Sequence, residues 1–167
     1  MKNTLLFVML LTLTLSFTTA AYGHVHGQGE LFVSQHKQTW LLQFVLPSAD
    51  LLGFEHTPKS DSEHQAIQQL AARFADHTQI IAFNEACQLD SIKHSLQTPS
   101  QHTEQANAHH DIELEYYFTC PNTVDQVSVL LFKWATSLTH IKAQWLNQQG
   151  QGMQKLTAAQ PTITWSF

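Results

Sequence analysis

An α+β domain built on a mostly antiparallel sheet, with one main helix and a disulfide-tied hairpin, is the fold class this sequence predicts. Three observations predict it. Many short runs are rich in aromatic and β-branched residues and are bounded by turn residues. Only one segment combines helical spacing of apolar residues with a start signal. Two cysteines, Cys87 and Cys120, flank a long polar stretch.

The chain opens with a leader. Lys2 supplies a short positive region, Leu5 to Phe17 is apolar apart from Thr and Ser, and Thr19-Ala20-Ala21 offers small residues for cleavage. This is the pattern of a secretory signal peptide over 1–21, with the mature chain starting at Tyr22. The apolar run is shorter than the roughly 20 residues a spanning helix needs, so no stable membrane insertion is expected after cleavage. Residues 22–167 are long enough for one domain with its own core.

Gly29 to His36 and Thr39 to Leu46 read as strands, with a polar turn between them and Pro47 ending the second. "SADLLGFEHTPKS" is read as irregular, broken by Gly53 and Pro58. Ser60 with Glu63 three residues on forms a capping box. Ile67, Leu70, Ala71 and Phe74 then share one helical face, so the helix runs to Ala75 or His77. "QIIAF" is a short strand or a helix extension. Cys87 to Leu96 reads as a strand and Gln97 to Ala108 as a loop. From Asp111 to Cys120, Ile112, Leu114, Tyr116 and Phe118 alternate with polar or smaller neighbours, as in a half-buried strand. "QVSVLLF" suits a strand, with a helix over 124–135 as the rival. Two or three strands close the chain, with turns at Gly150 and Pro161.

The net charge is −5, and the leader carries one of the eight basic residues, so the mature chain is more acidic still. An acidic chain without a basic cluster does not suit nucleic acid or an anionic membrane surface. An exported chain meets an oxidising compartment, where two lone cysteines form a disulfide. A Cys87–Cys120 bridge would tie the hairpin and stabilise by roughly 3–4 kcal/mol. Thiolate metal ligation has little support, because no CxxC is present.

Eleven histidines stand out in so weakly charged a chain. In "GHVHG", an extended backbone puts His24 and His26 on one side, since strand side chains alternate. Two imidazoles at that spacing can share one ion. In "GFEH", Phe54 can anchor the segment while Glu55 and His56 face outward. In "NAHHDIELEY", one of His109 and His110 can be a ligand, and Asp111 can be a ligand or orient the ring. His102 in the preceding loop is a further candidate, and His94 lies at the loop's other side. His36, His64, His77 and His140 read as surface residues. HExxH, GxSxG, a glycine-rich phosphate loop and CxxC are all absent, so the chain is read as a non-enzyme. Glu55 beside His56 keeps a zinc hydrolase in view as a minor alternative.

Taken together, "HVHG", "GEL", "ADLLGFEH", "ACQL", "HHDIELEYYFTC" and the closing "GQ" resemble the ZrgA-type periplasmic zinc-binding proteins. The resemblance spans Gly23 to Phe167. It implies a periplasmic protein that captures Zn(II) for uptake or storage alongside a zinc ABC importer or another membrane zinc transporter. It places the metal ligands on His24, His26, His56 and His109 or His110, and the cysteines on Cys87 and Cys120. Many members carry a dense His, Asp and Glu run in the hairpin loop. Here those residues are spread apart, which favours a single defined site. The alternative is a metal-independent envelope module with incidental histidines.

Overall fold

A computed structural model describes residues 25–97 and 111–165. The leader, Tyr22, His24, His102, His109 and His110 lie outside the described residues. Two sheets form the framework. The larger has six strands in the order β4-β5-β2-β1-β7-β8, and the smaller is β3-β6-β9. In chain order these are β1 (Gln28–His36), β2 (Thr39–Pro47), β3 (Ile81–Phe83), β4 (Gln88–His94) and β5 (Asp111–Thr119). They are followed by β6 (Gln126–Val129), β7 (His140–Asn147), β8 (Gly150–Leu156) and β9 (Thr162–Thr164). Two α-helices, α1 (Ser48–Leu52) and α2 (Asp61–Ala75), follow β2.

Period-two patterning decides which face of the large sheet is covered. Leu42, Phe44 and Leu46 of β2 and Leu114, Tyr116 and Phe118 of β5 are fully buried. They pack in one core with Leu70 and Phe74 of α2 and with Ile81, Val127, Val129 and Ile163 of the small sheet. The Tyr116 hydroxyl donates to the buried Phe74 carbonyl at 2.7 Å, joining sheet to helix. Trp40 stacks on Trp165 at 5.5 Å between ring centroids, joining the two sheets. On the opposite face Leu146 and Met153 are exposed.

The helix begins where the capping box predicts. The Ser60 hydroxyl accepts from the Glu63 amide, and the Glu63 carboxylate accepts from the Ser60 amide. The segment "QVSVLLF" is strand over Gln126–Val129, followed by a single 3₁₀ turn at Leu131–Lys133, so the strand reading holds over the helical one. "SADLL" is the correction: it forms the short helix α1 instead of irregular chain. Pro47 stops the strand, and Gly53 ends the helix at φ 83°.

Cys87 and Cys120 form a disulfide over a separation of 33 residues. They lie one residue outside the Gln88–Thr119 pair, so the bridge closes the hairpin of β4 and β5 at the end away from its loop. The large sheet is antiparallel except for β1 and β7, which run parallel with Gln28 beside His140. Gly152 lies under the Trp145 ring, where a Cβ would come within 2.3 Å of it. Among the described residues no helix is long and apolar enough to cross a membrane.

Candidate metal centre

The sheet register gathers the candidate segments at one end. β1 starts there at Gln28, and β2 ends there at Pro47. Asp111 opens β5 opposite Pro47, and His140 opens β7 beside Gln28. Neighbouring strands lie about 4.8 Å apart, so four chain segments reach this end within a short span.

The arm that carries His26 is fixed to the fold. Val25 to Gln28 forms a turn in which the Gln28 amide donates to the Val25 carbonyl at 3.1 Å. Gly27 takes φ 78°, a left-handed conformation suited to glycine at this turn position. Its amide donates to Asp50 Oδ2 of α1 at 2.6 Å. Its carbonyl accepts from the Thr139 amide, the Thr139 hydroxyl and the His140 amide, at 2.8, 2.7 and 3.0 Å. A Cβ on Gly27 would meet the Thr139 side chain at 3.0 Å. Four hydrogen bonds thus hold the glycine that follows His26.

From this anchor His26 reaches the "GFEH" loop. Its Nδ1 lies 3.6 Å from Glu55 Oε1, with the histidine largely exposed and the glutamate half-buried. His56, the next residue after Glu55, engages a different carboxylate. Its ring stacks on Phe54 at 5.3 Å, its Nδ1 lies 2.9 Å from the Thr57 carbonyl, and its Nε2 lies 3.6 Å from Glu63 Oε1. The Lys59 amide, donating to Glu63 Oε2 at 2.6 Å, is the main cause holding the Glu63 carboxyl below its ordinary pKa. Glu63 is therefore a carboxylate at neutral pH.

The structure brings His26 to Glu55 and His56 to Glu63, and does not bring His26 and His56 to one point. Among the described residues no three His, Cys, Asp or Glu side chains are grouped closely enough to hold a metal ion. Each His–carboxylate pair nevertheless has a spacing that suits zinc. Two ligands on a tetrahedral zinc with bonds near 2.1 Å stand about 3.4 Å apart. Of the remaining candidates, His94 is half-buried against Phe74, and burial lowers its pKa. Its Nδ1 is buried with no hydrogen-bond partner among the described residues. His36 and His64 are exposed, as read from sequence. His77 departs from that reading: it is half-buried, with its ring edge-on to Phe118 at 5.3 Å. His140 is also half-buried. Its pKa is lowered by burial first and by Lys155 and Lys142 next.

Sequence reasoning missed Asp50 and read Glu63 only as a cap. Asp50 had no signal of its own, because its partner Gly27 is 23 residues away. Glu63 was visible as a capping residue, and only the path of the "EHTPKS" loop turns its second oxygen toward His56.

The structure thus defines a disulfide-closed α+β sheet domain with two His–carboxylate pairs at and beside one sheet end. The chain is a member of the ZrgA family of zinc uptake proteins, which it matches over residues 23–165. A comparison with curated proteins finds no significant match.

Proposed function

We propose that the protein captures Zn(II) in the periplasm, with His24, His26 and Glu55 as candidate ligands, and passes it to or stores it for a membrane zinc importer. Membership of a zinc uptake family supports the cargo. The disulfide supports an oxidising compartment. The observation that carries the reading is the Gly27 clamp, which holds His26 within 3.6 Å of the Glu55 carboxylate. Imidazole with a carboxylate is a donor set that zinc favours, and zinc needs no redox partner. Asp111, at the same sheet end, is a further carboxylate near this arm. In this reading the protein acts as a carrier.

Metal analysis and zinc titration of the untagged, periplasmically purified protein test this. His24→Ala and His26→Ala should each weaken zinc binding more than tenfold, while His36→Ala and His64→Ala leave it unchanged. Equal small effects at all four positions would mean diffuse surface binding. Zinc binds neutral imidazole, so protons compete as the pH falls through about 6.5. Affinity should drop steeply between pH 7.5 and 5.5. An affinity unchanged across that interval would show that histidines are not the principal ligands.

A further inference from the structure

We propose that the open face of the large sheet is a self-association surface, on which a second copy of this chain packs about a two-fold axis running along the strands. The association goes beyond zinc capture and needs no metal.

Strand register fixes what this face presents. Across β5, β2, β1, β7 and β8, one row reads Glu113, Val45, Glu30, Lys142 and Lys155. Acidic residues stand toward one end of the row and basic residues at the other. Phe32 and Met153 lie in the next row, and Leu41 and Leu146 in the row after that. Lys142 and Lys155 stand directly opposite each other, a placement that costs stability because like charges repel. Among the described residues no ion pair engages Glu30, Glu113, Lys142 or Lys155.

A two-fold axis along β1 reverses this row in the second copy. Glu113 then lies over the copy's Lys155, and Lys155 over the copy's Glu113. Lys142 lies over the copy's Val45, between its Glu30 and Glu113. The two Glu30 side chains meet near the axis, each beside a Lys142. Two carboxylates and two ammonium groups per copy cancel, which favours approach between chains of net charge −5. In the other rows Phe32 meets Phe32, and Leu41 meets Leu146. An axis across the strands would instead set Glu113 on Glu113 and Lys155 on Lys155, so charge selects the axis along them. Aligned sheets cross at about 30°, an offset that the long lysine stems span.

The same face carries the apolar surface that association would cover. Leu146 is 59% exposed, Met153 65% and Phe32 36%. These three line one shallow groove on β1, β7 and β8. Five strands of seven to nine residues make up the paired face. At about 4.8 Å between strands and about 3.4 Å per residue, its area is on the order of 650 Å². That approaches the ~800 Å² that each partner buries in an interface of standard size.

Sedimentation equilibrium of the untagged, metal-free protein from micromolar to millimolar concentration tests this. Wild type should show a reversible monomer–dimer equilibrium. Lys155→Glu and Glu113→Lys should each weaken it more than tenfold, because each sets like charges over one another twice in the dimer. Mixed in equal amounts, the two variants should dimerise as wild type does, since the mixed dimer restores an opposite-charge pair at both places. That recovery also shows that both variants are folded. A wild type that stays monomeric throughout would overturn the proposal. So would a dimer that neither substitution weakens, as in edge-to-edge pairing through β8. Variants whose mixture stays as weak as each alone would overturn it equally.

Discussion

His94 shows how one residue couples folding to acidity. Its ring sits beside Phe74 at 5.8 Å, and burial lowers its pKa below the ordinary imidazole value. The unfolded chain therefore takes up this proton first as the pH falls. Stability held by neutral His94 is lost as the pH drops through about 6.5 and below. His94→Gln should lose less stability than wild type between pH 7.5 and 5.5, measured by urea unfolding midpoints. Equal losses in the two proteins would show that His94 is not the group responsible. Asp50 works differently at the same scale. It acts by fixing the backbone amide that follows His26.

Helix α2 and the hairpin of β4 and β5 each carry their own fastening. For α2 it is the Ser60–Glu63 box, in which both partners satisfy amides that a helix start leaves unpaired. Ser60→Ala removes the hydroxyl acceptor and should cost about 1 kcal/mol. A urea unfolding midpoint equal to wild type would argue against the cap. This box and the face of Leu70 and Phe74 were legible in the sequence because both signals fall within a few residues. Strand β5 was legible for the same reason, its alternation matching burial position by position. Helix α1 was not, because "SADLL" is too short to show a period. Its helical state depends on tertiary contacts such as Asp50 with Gly27.

At the scale of the whole molecule, the Cys87–Cys120 bridge restrains the unfolded chain over 33 residues. In the chain-entropy model that is worth about 4 kcal/mol. Replacing both cysteines with serine should lower unfolding stability by an amount of this order and leave zinc stoichiometry unchanged. Thiol titration of the native protein should find no free cysteine; two reactive thiols before unfolding would refute the bridge. A change in zinc stoichiometry would instead make the cysteines part of metal binding.

What the sequence determined by itself is local: most of the strands, the bounds of α2, the histidine-bearing segments and the pairing of two lone cysteines. Each rests on periodicity, a cap or composition within a short window. Tertiary structure alone decided that the strands divide into two sheets, that β1 runs parallel to β7, and that Trp40 and Trp165 stack between the sheets. It also decided which carboxylate each histidine meets. Strand partners are chosen by how buried faces fit together, and a strand's own residues state only which side is apolar. Glu55 and His56 are adjacent in the chain, and the path of one loop sends them to His26 and Glu63, partners that no local pattern encodes.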